Sequence, residues 1–364
     1  MNLSRLWTIA RLELLQRVRT VSWYVLLGVF AVILVGVTGL TFLSYGGWGD
    51  GSGAGVYSVV VYVTLLLVLL VSPTLSGNSI NGDRDAATLA PVQVTLATTG
   101  EILFGKFVAA WITGLAFALV AAPFLIVATF AGGVHAVTVV VSLVILVVET
   151  GIIAAIGVAL SGILARPLFS VATTYLVIAA LAVGTAIGFG LIGTALSSEL
   201  VATNRYVLSD DEGYPVCSDG SDDCWNDPEL MVCGDWETDT YPVPRFDRVW
   251  WLLSANPFVI LADASPTHYD GGGYPDDTFG WLKYTLRQAQ LPPELESTWD
   301  DCDPANYLDV YDDGPSAREV IDQTVPSWFV GLGVQLMLAV ALMWWAWART
   351  RTPARALPPG TRIA

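Results

Sequence analysis

The sequence predicts an all-α polytopic membrane protein. It reads as six transmembrane helices plus an N-terminal amphipathic interfacial helix, with a disulfide-containing extracytoplasmic domain between spans five and six. Three observations predict this. First, 54 % of the 364 residues are apolar and only 14 % are charged, against about 25 % charged in an ordinary soluble domain. Second, the charges are clumped: residues 20–49, 51–82, 107–148, 150–165, 167–198 and 323–348 hold no Asp, Glu, Lys or Arg. Third, all four cysteines and most of the acidic residues fall in one segment, 197–326.

A hydrocarbon core about 30 Å thick needs about 20 apolar residues of helix. Runs 20–49, 51–82, 167–198 and 323–348 each hold one span, and 107–165, broken only by Glu149, holds two folded at Gly132-Gly133. Six spans exclude a soluble globular enzyme. The net charge of −16 excludes a nucleic-acid binder, which needs a basic surface to displace counterions. Segment 197–326 carries 27 acidic and 6 basic residues, a net of −21; the remainder carries 6 acidic and 11 basic, a net of +5.

Residues 3–19 read as an amphipathic helix. Leu3, Trp7, Ala10, Leu14 and Val18 form one stripe, opposite Arg5, Thr8, Gln16 and Arg19. Such a helix lies in the membrane interface. An even span count puts both termini on one side, and the positive-inside rule selects it. Arg5, Arg11, Arg17 and Arg19 precede span one, Arg84 and Lys106 lie between spans two and three, Arg166 between four and five, and Arg349, Arg351, Arg355 and Arg362 follow span six. Both termini are therefore expected in the cytoplasm, with 197–326 outside the plasma membrane. Trp23, Trp344, Trp345 and Trp347 at inner span ends, and Trp48 and Trp328 at outer ones, fit an aromatic belt. The expected divisions are an elbow helix at 1–20, spans one to five at 21–196, the acidic external domain at 197–326, span six at 327–348 and a basic tail at 349–364.

Pro73 and Pro123 are expected to kink spans two and three. Ala180, Gly184 and Gly188 at spacing four allow close helix approach in span five, within the chain or between subunits. In the external segment, Asp276 to Gln290 and Arg245 to Ala264 read as helical stretches, and 208–242 and 294–316 as loops. Cys217, Cys224, Cys233 and Cys302 imply two disulfides in an oxidising compartment. Three pairings are open, with zinc as the alternative reading.

Glu149 is the one formal charge inside a span. An intramembrane carboxylate is a functional candidate by default: it binds a polar or cationic substrate, relays protons, or locks its helix to a hydroxyl of a neighbour. Gly100 to Lys106 matches seven positions of a P-loop, but Phe107 stands where the magnesium-binding Ser or Thr belongs. The plainer reading makes Gly100 a chain break and Lys106 an anchor of span three at the inner surface. The acidic stretches 219–227 and 309–314 lack calcium-loop spacing, no Ser/His/Asp constellation exists, and no metal site is expected.

The link 77–105 is too structured for a tether. Gly82-Asp83-Arg84-Asp85 runs into Ala87-Thr88-Leu89, and Thr99-Gly100-Glu101-Ile102-Leu103-Phe104-Gly105-Lys106 opens span three. These residues resemble the E-R-x-x-G-T-L-E … x-E-I-L-x-G-K pattern of ABC-2-type transporter permeases, the membrane subunits of ABC exporters. Gly82-Asp83, Ala87 and Ala90 depart from it. The layout is also similar over 1–205 and 320–350.

The resemblance implies a transport subunit rather than an enzyme. The link would dock on a separate ATPase through Asp83, Arg84, Asp85, Thr88, Leu89 and Glu101. Thr64, Ser72 and Asn78 of span two and Thr173, Thr174 and Tyr175 of span five, with Glu149, would meet the solute. The implied partners are two ABC ATPase subunits, a second permease copy (homodimer or heterodimer) and membrane lipid. ATP and Mg would sit on the ATPase, and this chain would bind no cofactor. The competing classes are an ion- or proton-coupled secondary transporter using Glu149, and a membrane-anchored receptor or assembly protein acting through the external segment.

Overall fold

The computed structural model describes residues 2–45, 52–85, 98–210, 214, 216–219, 224, 230–303 and 314–350. Six helices are long and apolar enough to cross a membrane: Val21–Ser44, Ser52–Asp83, Thr99–Phe130, Ala136–Ile163, Pro167–Ala195 and Trp328–Thr350. These are the six expected spans, called spans one to six below. The chain divides into two compact units: residues 1–186, 252–283 and 326–364, and residues 187–251 and 284–325.

The first unit is helical and is built around spans two and four. In each, 61 % of the apolar window is buried, against 22 % in span one and 11 % in span five. Two helices are thus central and the others clad them, which leaves the outer apolar faces for lipid. Small residues let the central pair touch. A Cβ on Gly157 of span four would overlap the Ser76 side chain of span two. The Tyr57 and Ser142 hydroxyls bond at 2.9 Å across the same pair.

Proline acts differently in the two places it was expected to bend a helix. Span three breaks at Ala121 and restarts with Pro123 in its first turn, a position where the missing N–H costs nothing. Helix Ser52–Ser76 runs through Pro73. The fold between spans three and four uses Gly132 and Gly133 at φ 93° and 78°, a conformation glycine adopts readily.

Helix Leu3–Val18 opens the chain, capped by the Asn2 side chain. The face it buries only partly follows its apolar stripe. Ala10 of the stripe packs inward with Leu6, while Leu3, Trp7 and Val18 stay exposed, so the outer part of the stripe is left for lipid and the inner part grips span three. In span five, Ala180–Gly184 forms a π-helical turn, a local widening that frequently marks functional sites. A Cβ on Gly184 would meet only Ala180 and Ala179 of its own helix within 4 Å. That part of the small-residue stripe therefore faces away from the other helices of its unit.

The second unit carries a three-stranded sheet of order β2-β1-β3, formed by β1 (Ser197–Arg205), β2 (Glu237–Pro244) and β3 (Glu296–Asp300). β2 runs antiparallel to β1 and β3 parallel. Two stretches expected as loops thus supply edge strands. Their composition hid this, because β2 is almost wholly exposed and shows no buried alternation. The disulfides are Cys217–Cys224 and Cys233–Cys302. The second closes a loop of 69 residues and ties the segment before β2 to the end of β3. Arg205 and Asp300, paired across β1 and β3, form a forked ion pair, and the Arg205 guanidinium lies 4.9 Å from the Trp236 ring centre.

Of the expected helical stretches, Asp276 to Gln290 contains helix Thr278–Gln288. Arg245 to Ala264 is broken into 3₁₀ turns at Phe246–Arg248 and Trp250–Ala255, then helix Pro257–Ala264. Asn256 starts that last helix by accepting the Phe258 N–H, and Pro257 sits at its first position.

Candidate functional site

At the Lys106 end of the first unit, four helices meet around one buried ammonium. Lys106 Nζ in span three lies 3.1 Å from Glu13 Oε2 of the amphipathic helix and 2.8 Å from Asp83 Oδ2 at the end of span two. Glu13 is four residues from Arg17 and pairs with it at 3.5 Å. Arg17 also donates to Thr113 Oγ1 of span three and to the Leu75 carbonyl of span two. Burial lowers the pKa of the Arg17 guanidinium, while Glu13 opposes the shift. The Ile80 and Asn81 N–H groups donate to Ser161 Oγ in span four. The cluster pairs its charges in a largely desolvated place, where removing one partner is costly.

Glu101 adds a second tie. Its carboxylate accepts the Thr98 N–H, completing a capping box with the Thr98 side chain, and accepts the Asn2 N–H at 2.6 Å. One side chain therefore caps the start of span three and holds the N-terminal helix. The expected roles of two neighbours change. Gly100 does not break the chain; it lies in the first turn of helix Thr99–Val120. Lys106 is no surface anchor; it is 3 % exposed. The same helix removes the P-loop likeness, since residues 100–106 are helical turns and not a phosphate-cradling loop.

Of the six coupling candidates, Asp83 and Glu101 are in this cluster. Arg84 and Asp85 close the short helix Asn81–Asp85. Thr88 and Leu89 lie outside the described residues, as do Trp48, Arg351, Arg355 and Arg362. Glu13, Arg17 and Asn2 were not anticipated. The signal for Glu13 was present: it is the single acid among residues 1–19, and it lies on the Leu6-Ala10-Arg17 face.

Glu149 is fully buried in span four. It faces the Gln335 amide of span six, but neither carboxylate oxygen makes a hydrogen bond of normal geometry among the described residues. Gln335 donates instead to the Ala255 carbonyl at 2.9 Å. The other pathway candidates are dispersed. The Thr64 and Thr174 hydroxyls are buried and bonded to their own helices. Ser72 is buried, Thr173 is half-buried and Asn78 is exposed. The Tyr175 hydroxyl donates to the Leu70 carbonyl at 2.7 Å, fastening span five to span two. A cavity of about 1130 Å³ lies between spans three, four and six. None of these seven residues lines it.

At the opposite end of span two, His135 and His268 stack with ring centres 3.6 Å apart. They share a small cleft with Tyr57, Thr138, Asp276 and Asp277. Burial, and then His135, lowers the His268 pKa, against an upward pull from Asp276. Burial also raises Asp277 to about 6, with Asp276 adding to the shift and the Gly280 N–H and Lys283 opposing it. Nearby, Asp263 accepts the Ser327 N–H and hydroxyl and the Trp328 N–H, capping the start of span six. Among the described residues no three His, Cys, Asp or Glu side chains are grouped as metal ligands.

No protein-family model matches this chain, and no curated protein sequence matches it significantly.

Proposed function

We propose that the chain is the transmembrane permease subunit of an ATP-driven exporter of the ABC-2 type, moving a solute outward by alternating access. The observation that carries the reading is the Glu13–Lys106–Asp83 junction. An ATPase pressing on the segment after span two would act on residues already bonded to the amphipathic helix and span three. Ser161 would pass the same displacement to span four. The link would not need to be long or stiff, because its near end is fixed to the helices it must move.

In this reading the Lys106 end and both termini face the cytoplasm of the plasma membrane, and residues 197–326 face out. Two ATPase polypeptides bind ATP and Mg and hydrolyse the nucleotide, so this chain is not itself the enzyme. A second permease, the same or similar, completes the pathway. The outward-facing stripe of span five, with its π turn, suits that contact.

Pull-down of the full chain from native membranes in mild detergent tests the proposal. Recovery of an ATPase subunit, lost with Arg84→Glu and retained with Glu149→Gln, is the expected result. ATP-independent transport by the isolated chain in vesicles would refute it.

A second reading, an ion- or proton-coupled transporter, draws on Glu149, whose carboxyl sits in the apolar interior with the Gln335 amide beside it. Full transport by Glu149→Gln would remove that reading.

A further inference from the structure

The 1130 Å³ cavity is a groove in the side of the helical unit, and its shape identifies an occupant. Spans three and six both pack on span four but scarcely touch each other. Phe104, Phe107 and Trp111 line one wall, with Phe107 and Trp111 stacked 5.8 Å apart. The Trp111 indole N–H is already bonded to the Val147 carbonyl at 3.0 Å, so the ring offers the groove only its apolar faces. Gly151 and Ala155 of span four keep the floor low. The opposite wall runs from Leu336 to Trp347.

Both walls have the same length. Gly100 to Trp111 and Leu336 to Trp347 each cover eleven residue steps, about 16 Å of helix. Half of a hydrocarbon core about 30 Å thick is about 15 Å. The groove is therefore about as long as one leaflet is deep, with Val148 and Leu336 at its far end. Its other end is polar, with Thr98 and Thr99 beside Gly100. Polarity at one end and none along the rest matches an ester-linked acyl chain and not a helix. A helix from a second copy would need contact across both leaflets and small residues at the rim. The rim here is Phe104, Trp344 and Trp347.

We propose that this groove is a phospholipid site, holding the acyl tails of a bilayer phospholipid in the leaflet on the Lys106 side, with the ester region against Thr98 and Thr99. Water expulsion supplies no preference here, because the tails come from hydrocarbon. The preference comes from packing: ordinary lipid disorder would leave the groove poorly filled, and lost dispersion contacts accumulate over its length. The site is independent of the exporter reading.

Photocrosslinking tests it. The full chain is placed in nanodiscs of phosphatidylcholine doped with a phosphatidylcholine carrying a mid-chain diazirine, and adducts are mapped by mass spectrometry. Labelling of Phe107, Trp111 and Met343 is expected to exceed that of Val32 and Leu176 by about tenfold, which corresponds to ~1.4 kcal/mol of preference. Val32 and Leu176 are 71 % and 70 % exposed on spans one and five and serve as lipid-facing references. Leu336→Trp should abolish the excess while leaving the reference labelling unchanged, which also shows that the variant is folded. Val340→Trp, at a position 67 % exposed, repeats the block with less risk to packing. Labelling that merely follows exposure on all spans would overturn the proposal. So would an undiminished excess in folded Val340→Trp, or groove adducts to a second copy in place of lipid.

Discussion

The two ends of the helical unit handle buried charge in opposite ways. At one end Lys106 lies between Glu13 and Asp83, and Arg17 closes the set. Each charge there has an opposite partner within 3.5 Å. At the other end Asp276 and Asp277 share a cleft with two histidines stacked ring on ring, Asp263 caps span six, and the Lys283 ammonium donates to the Ser265 carbonyl. The first end is neutralised by pairing. At the second, Asp263 is held by N–H and hydroxyl donors and Asp277 by the Gly280 N–H, and His268 sits where burial opposes protonation. A junction that must transmit force benefits from the first arrangement, since paired charges fix three helices in one geometry.

The largest expected effect breaks the paired end. Lys106→Met leaves two carboxylates facing each other and should cost about 3 kcal/mol, the lower end for breaking a buried pair because Asp83 stays partly exposed. Thermal unfolding in detergent measures it, and restoration by Lys106→Met combined with Asp83→Asn, which leaves Glu13 paired with Arg17, would show that charge, not shape, was lost. Next, Asp263→Ala at the opposite end removes the acceptor of three hydrogen bonds and should cost about 2–3 kcal/mol. Asp263→Asn should recover part of it, since the amide oxygen still accepts.

Between the ends, Glu149→Gln should leave stability unchanged or raise it by about 1 kcal/mol, because an unpartnered carboxyl in an apolar interior contributes little. A clear loss of melting temperature would mean that Glu149 has a structural partner.

The smallest effect is the pH response of the second end. Asp277, raised to about 6 in the fold, binds its proton more tightly folded than unfolded. Its contribution is complete below the unfolded carboxylate value and is lost as pH rises through about 6. His268, lowered by burial, contributes above its unfolded value of about 6.5, and that contribution is lost as pH falls through its folded value. The two oppose each other, so melting temperature should vary weakly between pH 4 and 7. Asp277→Asn should steepen the loss on the acid side, and His268→Asn should flatten it. Profiles that stay parallel would show that neither group titrates in this range.

Much of this architecture was legible in the chain because lipid imposes a simple rule. Backbone polar groups must be satisfied within each segment, so long charge-free runs can only be helices. The six spans follow from it. The sheet did not show in the sequence, because β2 buries almost nothing and β3 is five residues long. The functional residues divide along the same line. Glu149 stood out as a charge within an apolar run. Glu13 did not, since an acid among basic residues on a short helix looks like an exposed one.

The sequence by itself determined the spans, the acidic character of the segment between spans five and six, and the oxidised state expected of four clustered cysteines. Tertiary structure decided which face of helix Leu3–Val18 packs, which cysteines pair, and that Lys106 is buried between two carboxylates. Those outcomes depend on contacts between distant residues, such as Lys106 and Glu13, 93 positions apart. Local periodicity records how a segment meets lipid or water. It carries no record of which distant side chain fills the space beside it.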